Sequence, residues 1–382
     1  MTKAFIEIFH NYEHGKLAVL SPDLVNHTIF YVFFMIVLLC SKRDKVLASE
    51  ALGRTQTDQL KGLAIFLVIV GHLWVHVADR MAHIVLSGDG VAAFLMLSGY
   101  GLGISWDAGR NVTLQGFFTR RLKRVMIPYW FATLVILVLD WVLLDRHLNI
   151  AQIILTAVGL NVTRTLTYLD YVRWFVTYIL LWYVVFYFAM RHLRPTAAVL
   201  AMLLFGVVLL PINYYVLRFD WYQYFAFPIG CAIAVYHSQI IEMYQNKKRL
   251  LVVLSMTATL VILAYKAALH EEYIRATIFT RIPNIALAYF HDIISTLLCI
   301  AAVLLNMRFG ESGYYSRLLS VMGKYSYELF LLHGVFLIKY NPIIRSTGNP
   351  ALVVEFALYM LLISLLAYLL AKASGLFHAK RA

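Results

Sequence analysis

The stretch KGLAIFLVIVGH sets Lys61 and His72 at the two ends of ten residues that are all apolar or glycine, and LWVHVA carries the run on until Asp79 and Arg80 stop it. Comparable runs recur at about 25–41, 61–78, 88–106, 125–144, 171–190, 196–217, 221–237, 250–269, 285–306, 321–340 and 351–372. At about 1.5 Å per residue most of them match a hydrocarbon layer about 30 Å thick. The chain is 62% hydrophobic and 14% charged. A soluble domain is nearer 45–50% apolar and about 25% charged, so no aqueous core absorbs this much apolar surface. The runs are continuous rather than alternating, which excludes a membrane β-barrel. The sequence therefore predicts an all-α, polytopic membrane helical bundle of about eleven transmembrane helices. The stretch 150–162 is too short and too polar at its end to span, and is expected to form a surface or re-entrant helix.

The net charge of +13 reads first as loop asymmetry, not as a nucleic-acid footprint. With the N-terminus outside and eleven alternating spans, 21 of the 33 Lys and Arg residues fall on the inner side and 12 on the outer. The inner set includes Lys42, Arg43, Lys45, Arg110, the cluster at 120–124, Lys247, Lys248, Arg249, Lys324, Lys380 and Arg381. The expected placement is the plasma (inner) membrane, with the C-terminus in the cytoplasm. Residues 1–24 lack a basic segment leading straight into an apolar core, so 25–41, ending in SKRDK, reads as an uncleaved helix. Cys40, Cys231 and Cys299 lie far apart in apolar runs and read as small buried hydrophobes.

A histidine inside a spanning helix needs a reason. Eleven residues turn about 1,100°, close to three full turns, so Lys61 and His72 share a face about 16 Å apart along the axis. His76 continues that stripe. A face with a cation at its base and imidazoles above it lines a bundle interior or a wet cavity. The segment GKYSYELFLLHGVF repeats the arrangement, with Lys324 at the boundary and His333 nine residues on. Ser326 and Phe330 fall on nearly the same face as His333. Two imidazoles facing one cavity hold, orient or move a proton. A metal would need more ligands; His291 and Asp292 are the residues to recruit, but no close-spaced ligand motif occurs and no metal is expected. Glu328 is expected to be neutralised by Lys324 at i−4.

Three further clusters stand out. In FFTRRLKRVMIPYW, Arg120, Arg121, Lys123 and Arg124 read either as inner-face anchoring or as a seat for a phosphorylated ligand, with Arg120 and Arg124 projecting together on a helix. In DGVAAFLMLSGYGLGISW, Gly90, Gly99, Gly101 and Gly103 with Ser98 allow close helix approach or admit a slender ligand. In RWFVTYILLWYVVF, the aromatic residues form an interfacial belt or the wall of an acceptor site, with Trp174 and Tyr178 the candidates.

Taken in order, LKGLAIFLVIVGHL, FLMLSGYGLG, FFTRRLKRVMIPYW, RWFVTYILLWY, FAFPIGCAIA and GKYSYELFLLH resemble the acyltransferase-3 family of integral membrane acyltransferases, from about residue 59 to 372. The resemblance implies two parts: 1–58, an N-terminal segment with one additional transmembrane helix, and 59–382, the acyltransferase-3-like transmembrane domain. It implies a donor, acetyl-CoA or another acyl-CoA, taken from the cytoplasm, and a glycan or other hydroxyl acceptor at the outer face. His72 takes the place of the family's catalytic histidine. Lys61 stands where the family usually has arginine, which keeps the charge and loses the planar fork. Arg121 and Arg124 fall in the basic motif expected near the CoA phosphates, and Ser98 and Tyr100 in the LSGY segment. The glutamate that many members carry after the tryptophan of RWFVTY is missing here.

The expected reaction is O-acyl transfer. A hydroxyl needs a base to attack a thioester, and a neutral imidazole, with a pKa of about 6.5, suits that task. In this scheme His72 takes the proton, and Lys61, Arg120, Arg121 and Arg124 hold the donor, whose arm threads up the Lys61–His72 stripe. His333, Ser326 or Tyr325 steadies the acyl carbonyl. The rival class is a proton-coupled transporter or flippase of a glycan or small metabolite, for which intramembrane histidines and glycine-broken helices also serve. A non-catalytic sensor is a third reading.

Overall fold

The computed structural model describes residues 9–13, 15–43, 52–107, 109, 113–161, 169–219, 221–269 and 283–379. Of the cations counted above, Lys45, Arg110, Lys380 and Arg381 lie outside them. Thirteen helices occur among the described residues: α1 Pro22–Leu39, α2 Arg54–His72, α3 Ser87–Asp107, α4 Leu114–Leu144, α5 Ile150–Ala157, α6 Trp174–His192, α7 Pro195–Ile212, α8 Ala226–Val235, α9 His237–Ala268, α10 Asn284–Glu311, α11 Arg317–Lys324, α12 Ser326–Ile338 and α13 Ala351–Ala379. Eight of the helices are long and apolar enough to cross a membrane; α8 and α12 are shorter apolar helices. The protein is an all-α, multi-pass bundle. Leu38, Leu134, Leu204, Leu260 and Leu361 are each more than half exposed on its flanks, the pattern of a surface solvated by lipid.

Local sequence explains the boundaries. Pro22 and Pro195 open α1 and α7 at first-turn positions, where a missing N–H costs nothing. Asn149 and Gln152 form a reciprocal capping box on α5, the short helix expected at 150–162. The long α9 is two helices joined across Lys247, whose φ of −120° breaks the helical path.

Backbone approach is closest where side chains are absent. Gly99 of α3 faces the Phe227 carbonyl of α8, and Gly230 of α8 faces Met96 of α3, so neither position has room for a Cβ. Gly62 of α2 meets the Leu319 carbonyl, and Gly323 meets that of Asp58, which docks α11 onto the start of α2. Lys61 and Lys324 are thereby brought to one end of the bundle. A two-stranded antiparallel ribbon, β1 Ser41–Arg43 with β2 Tyr314–Ser316, closes that same end and ties the N-terminal span to the rest.

Candidate functional site

Helix α2 delivers Lys61 at one end and His72 at the other, as the run between them requires. Immediately after His72 the helix widens into a π-turn, Leu73–Val77, which turns His76 edge-on to His72 with ring centroids 5.3 Å apart. Helix α12 brings His333 against α2, and the Nδ1 of His72 lies 2.7 Å from the Nε2 of His333, the two rings coplanar within 3°. The two histidines, 261 residues apart in sequence, are direct hydrogen-bond partners.

The partners of His333 fix the proton positions. Its Nδ1 lies 2.8 Å from the Phe330 carbonyl and 3.2 Å from that of Leu329. Carbonyl oxygens only accept, so His333 Nδ1 carries a proton. In the neutral ring His333 Nε2 is then an acceptor, and His72 Nδ1 must donate to it. The remaining nitrogen of His72, Nε2, is left with a free lone pair able to take a proton. His333 is fully buried, whereas His72 and His76 are partly exposed. His76 stacks on Tyr171, which precedes α6 and is itself exposed. The partly exposed members of this cluster lie toward the end of the bundle opposite Lys61.

At the Lys61 end a cavity of about 1230 Å³ opens between α2, α3, α4, α6, α9 and α12. It is larger than the roughly 300–1,000 Å³ of common small-molecule sites. Its cations are Arg54, Lys61, Arg121, Arg124 and Lys324, against two acids, Asp58 and Glu328. Lys61 pairs with Asp58 at 3.1 Å. Arg121 has a buried Nε with no partner among the described residues. Ser98, Tyr100 and Ser326 line the cavity as well, and Tyr100 shares its hydroxyl between the Leu52 carbonyl at 3.3 Å and His237 Nδ1 at 3.4 Å. His237, which the sequence reading passed over, is part of this wall; its only signal was a histidine beside the basic run at 247–249.

Several expectations need correction. The cavity does not run on to the histidines. It ends at a layer of rings, with Phe175 at 6.4 Å from Phe94 and 5.1 Å from Phe330, and Phe330 lies 5.7 Å from His333. Neither histidine lines it, because Phe330, one turn before His333, fills the path. Ser326 lies two turns below His333 and does not join the pair. Arg120 is exposed, its Nε donates to the Gly116 carbonyl of its own helix, and it stays outside the cavity; the pair that projects inward is Arg121 and Arg124. Lys324 forms no ion pair with Glu328: Tyr325 breaks the helix between them, the lysine lies over the Tyr325 ring, and the cation that acts on Glu328 is Arg124. Gly101 faces open space in the cavity rather than a neighbouring helix. Tyr178 is fully buried among Trp174, Trp182, Trp221 and Tyr224 and lines neither this cavity nor the second one described below. Trp174 is partly buried and meets Tyr222 edge-on.

The carboxylate nearest in sequence to the missing glutamate is Asp170, buried just before α6. It is clamped by Arg173 at 2.9 Å, and the Arg173 guanidinium also donates to Thr133 and lies over the Tyr129 ring at 4.9 Å. Among the described residues no group of three or more His, Cys, Asp or Glu side chains is disposed to hold a metal. His291 and Asp292 line a separate cavity instead of joining the histidine pair.

These features define the class: a multi-pass membrane protein with a cationic cavity at one end and a hydrogen-bonded histidine pair toward the other. A family model described as an acyltransferase domain, that of acyltransferase-3, matches residues 55–372. The chain belongs to the acyltransferase-3 family, and the matched span contains every candidate residue named above. No curated protein and no solved structure matches the chain.

Proposed function

We propose that this protein transfers an acyl group, acetyl being the simplest, from cytoplasmic acyl-CoA to a hydroxyl of a cell-envelope or exported glycan. The observation that carries the reading is the locked tautomer of the histidine pair. His333 is held by two backbone carbonyls, His72 donates to His333, and His72 Nε2 is left as the base. That is the group a sugar hydroxyl needs when it attacks a thioester. The cationic cavity supplies the complementary half. Arg54, Lys61, Arg121, Arg124 and Lys324 suit the phosphates of CoA, and Arg121, with an unpaired buried Nε, is the residue to reach one.

In this scheme the basic end faces the cytoplasm, in keeping with the Lys and Arg bias. Donor phosphates bind there, the acyl end points at the Phe94–Phe175–Phe330 layer, and that layer shifts to let the thioester meet His72. The hydroxyl proton passes to His72 Nε2, the oxygen bonds to the acyl carbon, and CoA leaves as thiolate to be protonated. The test is acyl-CoA turnover by purified protein together with mass spectrometry of envelope glycans from cells with and without it. The expected result is one acyl mass lost from a glycan in its absence and on His72→Ala. A folded His72→Ala protein that acylates at the wild-type rate refutes the proposal.

A further inference from the structure

A second cavity, of about 460 Å³, lies at the other end of the bundle, between the segment that follows α7 and the start of α10. Among the polar side chains in its walls, Trp221, Gln223 and Asp292 are each more than nine-tenths buried. Each has an atom with no hydrogen-bond partner among the described residues, namely Trp221 Nε1, Gln223 Oε1 and Asp292 Oδ1. Buried polar atoms are nearly always paired, so three unpaired ones on one cavity wall mark a place made for a ligand. The neighbouring Asn213 shows the contrast. Its amide is fully engaged, donating to the Phe219 carbonyl at 3.0 Å and the Tyr224 hydroxyl at 2.8 Å while accepting from Phe219 N. It holds the segment in shape, and the other three are left over.

The left-over set has a definite chemistry. It offers one N–H donor and two oxygen acceptors. Arg218 and Asp292 both line the cavity, so no net charge selects an ion there, and an acyl chain satisfies none of the three atoms. A hydroxyl both donates and accepts, so neighbouring hydroxyls on a ring answer all three. The mouth adds a flat surface: Tyr222 is 58% and Tyr214 40% exposed, and both line the cavity. Gln223 adopts a left-handed backbone (φ 71°), and its amide tip lies where a side chain on Gly88 would stand, 3.2 Å from the position of a Cβ there. An aromatic face beside directed amide and carboxylate groups suits a sugar ring, with C–H groups on the tyrosine and hydroxyls on the polar wall.

We infer that this cavity binds a sugar ring through Trp221, Gln223, Asp292 and Tyr222, and that it is the acceptor subsite of the transfer. The second half of the inference rests on the acyl-transfer reading; the first half does not. A chain of ring contacts leads toward the histidines: Tyr222 meets Trp174 at 5.9 Å, Tyr171 lies three residues before Trp174, and Tyr171 stacks on His76 at 5.1 Å, which meets His72. A glycan held at Tyr222 can extend along this shelf and present a hydroxyl of a neighbouring residue to His72 Nε2.

The test uses the full chain in lipid nanodiscs free of glycoside detergents. Saturation-transfer NMR is run with a panel of methyl hexosides and methyl 6-deoxyhexosides. At least one is expected to bind. Gln223→Met, which removes the acceptor while keeping side-chain length, and Asp292→Asn, which keeps the bond to Tyr224 N, should each weaken it about tenfold or more. Tyr222→Ala, at a position 58% exposed, should weaken it several-fold. Binding of none of the glycosides, or wild-type affinity in Tyr222→Ala and Gln223→Met alike, overturns the inference. Acyl-CoA turnover is measured in parallel. Its absence from the wild type sinks the transfer reading and leaves the sugar site standing. Turnover with an acceptor KM unchanged in Tyr222→Ala removes the acceptor assignment alone.

Discussion

Replacing His333 tests the chemistry most directly, because the structure assigns it a single effect: it decides which nitrogen of His72 is free. With His333→Phe the volume is filled, and the acceptor for His72 Nδ1–H, now 2.7 Å away, is gone. A neutral hydrogen bond contributes about 0.5–1.5 kcal/mol net, and about 1.4 kcal/mol is a factor of ten. Loss of the bond therefore removes a bias of up to about tenfold toward the Nδ1–H tautomer, and it frees the ring to rotate. The expected fall in kcat is about ten- to a hundredfold, against about 10²–10⁴-fold for His72→Ala, which removes the base itself. His333→Gln places an amide oxygen near the lost nitrogen and should recover part of the rate. The assay is transfer of labelled acetyl from acetyl-CoA to acceptor by protein in proteoliposomes, with folding checked by thermal unfolding. The double variant His72→Ala/His333→Phe should be no slower than His72→Ala, since His333 acts only through His72. Multiplicative losses in that cycle, or wild-type kcat in His333→Phe, refute the reasoning.

Other perturbations probe the remaining parts. Phe330→Ala opens the ring layer between cavity and histidines, so acyl-CoA hydrolysis without acceptor should rise several-fold while transfer falls, read as free CoA against acylated product. Arg121→Gln and Arg124→Gln should each raise the donor KM by about one to two orders of magnitude, a charged hydrogen bond contributing about 1.5–3 kcal/mol, and leave kcat within a few-fold; an unchanged KM counts against phosphate binding there. Lys339→Met removes the cationic partner of Asp140, which lies 3.0 Å away with both side chains almost fully buried, and leaves the carboxylate only the Tyr340 hydroxyl at 2.6 Å. An uncompensated buried carboxylate costs about 3–5 kcal/mol, so the unfolding midpoint in detergent should drop sharply, and the double variant with Asp140→Asn should recover most of the loss.

Much of the bundle was legible because lipid leaves few choices. A continuous apolar run has to be a helix, and each expected span has a helix in the structure, including α8 and α12, which are short because aromatic residues and breaks at Tyr236 and Tyr325 bound them. The histidine stripe was legible for the same reason: helical periodicity fixed Lys61, His72 and His76 on one face. The contact between His72 and His333 was not, since depth in two separate spans leaves their distance open; it is set by α11 docking onto Gly62. From sequence Tyr178 reads equally as interfacial belt or acceptor wall, because aromatic residues at helix ends look alike whether they face a cavity, lipid or a neighbour. Asp292 carries no signal once a metal is discounted, and Gln223 carries none. Nothing in the order of letters shows that a buried oxygen lacks a partner.

The two cavities and the layer between them constrain how this family's chemistry can run in this chain. A donor in the cationic cavity and a hydroxyl at the far end cannot meet while Phe94, Phe175 and Phe330 stand as they do. A carrier with alternating access has the same two-sided plan, and what separates the plans is the fate of the middle. A carrier must pass its whole cargo through the layer, whereas a transferase needs only the acyl end to reach His72. The layer is one ring thick along α12, from Phe330 to His333, three residues or about 4.5 Å of helix rise. On the proposed transfer, the smallest opening of the layer, a rotamer change at Phe330, has to pass only an acetyl group and its thioester. The geometry thus favours acyl passage over solute passage, and it makes the bulk of residue 330 the expected limit on acyl length: Phe330→Ala should accept butyryl-CoA where the wild type prefers acetyl-CoA, and an unchanged preference places that limit elsewhere.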